Sequence, residues 1–370
     1  MSARFLTVVL ERAFNMRDGF GREIDYMRIS VIDSCNLNCY YCNPCDNNEH
    51  CHALNILSVK EVLCIVRAAT RLGIKHFRLT GGEPLLHPQL DEMVLQIKKI
   101  PGVSSVSLTT NAVLLAQHAK WLKEAGIDSI NVSLDTIDAS EYERITKKPL
   151  LEEVKHGINA AIECGIRVKI NVVLTPQTDV VALTRYVAKK GTDIRFIEMM
   201  PVGEGHTNGV EPYKKVIGTL SKLYGEPCRI NTEKTKEINS GNDKRKIPDN
   251  GPAEYYIFPE LGIRVGLIQA IHGKFCATCN RIRVTADGRL MPCLGSSVTM
   301  DLVPDSCEFT DDLEKDFVIV QALKAAIKAK PRCHNFNDNA VTYTKTTETK
   351  TTEIEAAEVN AARNMSRIGG

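Results

Sequence analysis

From about residue 26 to residue 200 the chain repeats one unit. A short β-branched run is followed by an amphipathic stretch of roughly ten to fifteen residues, the alternation expected of a parallel sheet. The strand candidates are Arg28–Ile32, His76–Thr80, Ser104–Thr109, Ser129–Leu134, Val168–Leu174 and Ile194–Met199. Ser58-Val-Lys-Glu61 reads as a capping box opening the first helix. Gly73, Gly126, Gly165 and Gly191 each close a helix-like stretch, where the residue after the last turn often adopts a left-handed conformation. No GxGxxG follows any of these strands, so a dinucleotide-binding sheet is disfavoured and a TIM-like partial (β/α)6 barrel is the expected α/β fold.

The pattern changes after Pro201. Tyr213–Leu223 and Asp311–Lys330 read as helices, and 229–252 as polar loop. Tyr255–Ile268 and Arg281–Leu290 read as antiparallel strands, the latter closing on an Ala-Asp-Gly turn at 286–288. The expected organisation is an N-terminal extension (1–20), the barrel (21–205), an α+β extension (206–340) and a flexible Thr-rich tail (341–370). Net charge is only +2, which argues against nucleic acid or an acidic membrane surface as partner. No apolar run approaches the ~20 residues of a membrane span. The run Phe5 to Leu10 is too short for a signal-peptide core, so a cytoplasmic chain is expected.

Thirteen cysteines are unusual for such a chain. Disulfides are rare in a reducing compartment, so metal binding or catalysis is the better reading. Cys35-Asn-Leu-Asn-Cys39-Tyr-Tyr-Cys42 follows the first strand, on the face where barrel active sites lie. Three thiolates can hold a four-iron cluster and leave one iron open to a small ligand. A zinc loop completed by Cys45 or His50 is the competing reading. Cys276-Ala-Thr-Cys279 with Cys293 forms a second triad, which Cys307 or His272 could complete as a zinc site. Arg281 and Arg283 follow it at i and i+2, on one face of a strand, and two guanidiniums there suit a phosphate. Cys64 and Cys164 fall in helical patterns as core residues. Cys45, Cys51, Cys228, Cys307 and Cys333 have no legible role.

The CxxxCxxC spacing, with Tyr41 before the last cysteine, resembles the signature of the radical SAM enzymes. Thr80-Gly-Gly-Glu-Pro84 supports it: the glycines allow close backbone approach and Glu83 can accept from an ammonium. Asp25-Tyr-Met-Arg28, Leu108-Thr-Thr-Asn111, Asn131-Val-Ser-Leu-Asp135, Lys169-Ile-Asn-Val-Val, Arg195-Phe-Ile-Glu-Met-Met-Pro-Val-Gly203, Cys276–Leu294 and the final Gly369-Gly370 follow in order. With these the chain resembles the GTP 3′,8-cyclase family of molybdenum-cofactor biosynthesis.

The resemblance implies two [4Fe–4S] clusters, on Cys35, Cys39 and Cys42 and on Cys276, Cys279 and Cys293. S-adenosylmethionine would contact Tyr41, Gly82, Glu83, Ser133 and Met200. GTP would contact Arg28, Arg78, Thr109, Lys169, Arg195, Arg281, Ile282 and Arg283. Gly369 and Gly370 would reach into the active site and be needed for turnover. The implied chemistry is removal of the 3′ hydrogen of GTP by a 5′-deoxyadenosyl radical, then closure of C3′ onto C8. Implied partners are a flavodoxin- or ferredoxin-type electron donor and cyclic pyranopterin monophosphate synthase; a homodimer is compatible. His76 and His87 stand where the family usually has Lys and Arg, and Ala112 where it has Gly. The histidines keep open a radical SAM enzyme acting on a peptide or other substrate. The unassigned cysteines keep open a non-catalytic zinc or iron–sulfur protein.

Overall fold

The computed structural model describes residues 16–42, 55–202, 210–230, 251–296, 299–302, 312–334 and 336. His50, Cys45, Cys51, Cys307 and the tail with Gly369 and Gly370 lie outside the described residues.

Six parallel strands form the centre: β1 (Tyr26–Ser30), β2 (His76–Thr80), β3 (Ser105–Thr110), β4 (Ser129–Ser133), β5 (Val168–Val173) and β6 (Asp193–Ile197). Helices α1 (Val59–Arg71), α2 (Leu90–Lys98), α3 (Leu115–Glu124), α4 (Ala139–Thr146), α5 (Leu151–Glu163) and α6 (Val180–Lys189) fall between them. The Ser58/Glu61 box is reciprocal, with Ser58 N–H donating to the Glu61 carboxylate at 2.8 Å and Glu61 N–H to Ser58 Oγ at 3.3 Å. Gly73, Gly126, Gly165 and Gly191 all have positive φ. A short π-helical turn (Tyr213–Ile217) leads into α7 (Gly218–Tyr224), and α8 (Asp312–Lys328) is the last helix described.

The later strands are β7 (Cys228–Ile230), β8 (Glu254–Ile257), β9 (Arg264–Ile268), β10 (Arg281–Val284), β11 (Arg289–Met291) and β12 (Met300–Asp301). They do not make a sheet of their own. β10 pairs parallel with β1 and β9 pairs parallel with β6, so one twelve-stranded sheet runs β12-β11-β10-β1-β2-β3-β4-β5-β6-β9-β8-β7. The hairpins expected from sequence are present on its two margins, but their inner strands extend the barrel wall.

Parallel strands covered on both faces usually read as continuous apolar runs. Here they alternate. Met27, Ile29, Phe77, Leu79, Ile130, Val132, Ile194 and Phe196 are fully buried and pack toward the helices. Burying one such side chain contributes about 1.5–3 kcal/mol. Arg28, Arg78, Thr109, Asn131, Lys169 and Arg195 alternate with them on the opposite face. One cavity touches strands from β10 across to β9, so the sheet curls around this polar inner face as a partial barrel.

Candidate active site

The cavity has a volume of about 280 Å³ and opens at the carboxyl ends of the strands. Cys39 and Cys42 line it, as do Cys276, Cys279 and Cys293, with Arg28, Tyr41, Gly82, Thr109, Ser133, Met200, Arg281 and Arg283. Most of the sequence-derived groups thus meet at one space, but Cys35, Arg78, Lys169 and Arg195 are not among its lining residues.

The first triad is shaped by backbone packing. Gly82 N–H donates to Ile32 O at 2.7 Å and Glu83 N–H to Ser34 O at 2.8 Å, so the turn after β2 is stitched to the loop carrying Cys35. A Cβ on Gly81 would sit 2.4 Å from Ile32 O, and one on Gly82 2.1 Å from Ser34 O. The glycines therefore admit the protein's own cysteine loop at this point. Asn38 and Tyr40 N–H groups tie the far side of that loop to Thr146 O and Ile145 O at the end of α4.

Glu83 does not line the cavity. It is 1 % exposed, and its carboxylate accepts from Thr110 Oγ1 (2.6 Å), Asn111 N–H (2.7 Å) and Leu85 N–H (3.0 Å). Burial pushes its carboxyl up to about 7. The side chain holds Asn111, whose amide donates to Asn36 Oδ1 at 2.7 Å and toward Cys35 Sγ at 3.8 Å. Ala112, next in the chain, has φ 65°. An L-residue held there costs about 1–2 kcal/mol.

Burial pushes the Cys35 thiol up to about 11 and the Cys42 thiol up to about 12, and also raises Cys39. The thiols raise one another, and Glu83 and Asp135 add to the effect. Three half-buried sulfurs of this kind suit a cationic centre that would hold them as thiolates. Among the described residues no three Cys, His, Asp or Glu side chains converge as they would around a single metal ion. Tyr41, between the ligand candidates, donates its hydroxyl to Asp135, whose other oxygen accepts from Val173 N–H at 2.7 Å.

The register puts three guanidiniums in one cross-strand row, since Arg28 is level with Arg283 on β10 and with Arg78 on β2. Burial and the neighbouring Arg281 push Arg283 down to about 10. Burial and Arg283 likewise hold Arg28 well below its ordinary value. Buried like charges in a row are costly unless an anion faces them. Arg78 also donates to Thr109 Oγ1 at 3.3 Å and to the Tyr26 hydroxyl. Further round, Thr109, Asn131 and Lys169 are level, and Arg195 donates to Asn171 Oδ1 at 2.9 Å. Gly266 makes room for Arg195, since a Cβ there would lie 2.7 Å from Arg195 Cγ. Arg78, Lys169 and Arg195 share the inner face without lining the cavity, and Ile282 departs furthest from the expected substrate contacts. Its side chain is 0 % exposed and packs in the outer core, because strand alternation turns it away from Arg281 and Arg283.

At the second triad the surroundings are cationic. Burial alone would raise the Cys279 thiol, but Lys330 and Arg281 outweigh it and hold the thiol below its ordinary value. His272 is engaged elsewhere: its ring bonds Glu198, which also accepts from Ile271 N–H at 2.7 Å. Sequence reasoning missed Lys330, His334 and Asp135, all on the cavity wall. Asp135 was within reach, as the last residue of Asn131-Val-Ser-Leu-Asp135. Lys330 and His334 fall outside every spaced motif.

The two unusual histidines face inward. His76, at the start of β2, bonds Ser105 Oγ through Nδ1 at 2.8 Å. His87 is 3 % exposed, with Nε2 2.9 Å from Leu57 O and Nδ1 accepting from Gln89 N–H at 3.1 Å. Burial holds His87 below its ordinary value. The folded state therefore binds fewer protons here than the unfolded chain, so this stability is present above about pH 6.5 and declines as pH falls. Between pH 7 and pH 5, urea midpoints should fall more for the wild type than for His87→Gln, while GTP affinity at pH 7.5 should be unaltered. Equal pH slopes would refute this.

Residues 29–182 match the radical SAM superfamily, and residues 192–336 match the family described as Molybdenum Cofactor Synthesis C. Streptococcus suis SuiB bound to S-adenosylmethionine superposes with a TM-score of 0.54 at 14 % identity, covering 81 % of this chain and 65 % of that one. Sheet, glycine turn and first triad thus define the class, a radical SAM fold. Proteins named GTP 3′,8-cyclase are similar over most of their length. The one from Clostridium perfringens (strain SM101) is 36 % identical over 324 residues, 87 % of this chain and 95 % of that protein. The one from Petrotoga mobilis is 35 % identical over 331 residues, 88 % and 96 % respectively. The chain belongs to the GTP 3′,8-cyclase family.

Proposed function

We propose that this chain is a radical SAM lyase that converts GTP to 3′,8-cyclo-7,8-dihydro-GTP, the first step of molybdenum-cofactor biosynthesis. The observation that carries it is one cavity lined by Cys39 and Cys42 of the first triad, all three cysteines of the second, and Arg28, Arg281 and Arg283. In this reading Cys35, Cys39 and Cys42 hold one [4Fe–4S] cluster and Cys276, Cys279 and Cys293 another. With S-adenosylmethionine, the first supplies a carbon-centred radical able to take a hydrogen atom from an unactivated C–H bond.

The chain's own residues bind and orient. Arg28, Arg78, Arg281 and Arg283 offer forked donors to the triphosphate, with Lys169, Arg195 and Thr109 around the nucleoside. Ser133, Met200, Tyr41 and the Gly82 backbone form the S-adenosylmethionine wall. Glu83 acts at one remove, holding Asn111 and the cysteine loop. The buried barrel floor keeps water from the reacting carbon, which protects a reactive intermediate from side reactions. Gly369 and Gly370 are assigned to the same cavity by resemblance. The reading also requires a low-potential one-electron donor protein, and a following enzyme that rearranges the cyclised nucleotide, cyclic pyranopterin monophosphate synthase. No described helix is long and apolar enough to cross a membrane, in keeping with the cytoplasmic location we assign.

The test is anaerobic incubation of reconstituted protein with dithionite and S-adenosylmethionine, with and without GTP, followed by mass spectrometry. GTP-dependent 5′-deoxyadenosine together with an isomer of GTP is expected. If 5′-deoxyadenosine forms while GTP stays untouched, the S-adenosylmethionine site stands and GTP is not the substrate.

A further inference from the structure

Lys330 lies just beyond α8 and is 2 % exposed. Its ammonium donates to Arg281 O at 2.7 Å and to Pro292 O at 2.9 Å. Arg281 stands two residues after Cys279, and Pro292 immediately precedes Cys293. One side chain thus ties together the two arms that present the second triad. An ammonium has three donors, and Lys330 lines the same cavity as Cys279 and Cys293. Burying such a charge is costly unless an anion compensates it. Two neutral carbonyls and a neutral thiol do not, whereas metal-bound thiolates would.

Among the described residues the loop of the first triad meets charges of both signs: Arg144 lies over the Tyr40 ring, 5.5 Å from its centroid, and Tyr41 donates its hydroxyl to Asp135.

We infer that Lys330 is a positioning residue for the second centre: it pins the Cys279 and Cys293 arms together and supplies a fixed positive charge beside Cys279. This rests on the reading of that triad as an iron–sulfur site. Adding an electron makes a thiolate-ligated cluster more negative, so a nearby cation favours the reduced form. Lys330 should then make the second cluster easier to reduce than it would be without this charge, which keeps an electron-accepting centre beside the nucleotide.

The test compares the full-length wild type with Lys330→Gln and Lys330→Arg after anaerobic reconstitution. Iron and sulfide are assayed, and each cluster is titrated by EPR against solution potential. Glutamine can still donate to both carbonyls but carries no charge. In Lys330→Gln the second-cluster midpoint should fall so that the oxidised-to-reduced ratio at fixed potential rises about tenfold, equal to 59 mV for one electron. The first-cluster midpoint should not move, and Lys330→Arg should stay near wild type. Loss of about half the iron from the Gln variant, with the Arg variant intact, would equally support the role. Wild-type iron and midpoint in Lys330→Gln would overturn it. So would equal iron loss in both variants, since charge would then not matter. A wild-type chain binding only about four irons would instead refute the iron–sulfur reading of the triad, and the Lys330 role with it.

Discussion

Gly82→Ala is expected to empty the first triad while sparing the second. The added methyl would lie 2.1 Å from Ser34 O, 2.4 Å from Ser34 C and 2.6 Å from Asp33 O. These are backbone atoms, and Gly82 N–H and Glu83 N–H fix the same loop by hydrogen bonds. Neither side can yield without moving the Cys35 segment. Iron should fall from about eight to about four per chain. Formation of 5′-deoxyadenosine should fall by at least about 10²-fold, because displacement of a reacting group by about an ångström has that effect. Far-ultraviolet circular dichroism should be unchanged, since the sheet and helices do not depend on this turn. Cys35→Ala should give the same iron count. A Gly82→Ala protein with full iron and normal turnover would refute the steric account.

Arg283→Leu should abolish tight nucleotide binding without removing either cluster. Arg283 is buried in the row with Arg28 and Arg78, and strand register fixes all three on one face. A hydrogen bond to a charged group contributes about 1.5–3 kcal/mol. Removing a forked guanidinium from this buried row should therefore weaken GTP by roughly 10²-fold at 1.4 kcal/mol per tenfold. In the wild type, GTP at a hundred times its dissociation constant should stabilise the fold by about 2.7 kcal/mol. At the same GTP concentration that stabilisation should fall to about 0.4 kcal/mol in the variant, and most of the rise in melting temperature with it. Inorganic tripolyphosphate should compete with GTP for the wild type. If Arg283→Leu binds GTP normally, the arginine row is not the anion site.

The βα alternation and the helix stops were legible because they are local. A capping box and a glycine of positive φ are set within one turn of chain. The polar inner face was half legible: Arg28, Lys169 and Arg195 were assigned to the substrate by the family resemblance, not by the residue pattern. Their convergence depends on register, which a single sequence does not display. The placement of β9 and β10 was not legible at all. Both read as members of local hairpins, which they are, but each also pairs on its other edge with a strand far off in sequence. Glu83 was read as a ligand contact because a carboxylate after two glycines invites it. The structure turns it toward Thr110 and Asn111, a choice made by tertiary packing. Lys330 is one lysine in a lysine-rich helix end, and nothing local separates it from its exposed neighbours.

The sheet order also bears on how the protein is made. Asn280 Nδ2 donates to Asp25 Oδ1 at 2.6 Å across 255 positions of the chain. At about 5–20 residues per second, synthesis of that interval takes on the order of 10–50 seconds. Throughout it β1 is a bare margin of a growing sheet, and β6 is one from its own synthesis until β9 follows, each a template for pairing with another nascent chain. The second half of the protein is thus also the cap that closes both margins of the first. Yield in a heterologous host should depend on slow elongation and chaperone supply at least as much as on iron. A message ending near codon 205 should direct its product into inclusion bodies.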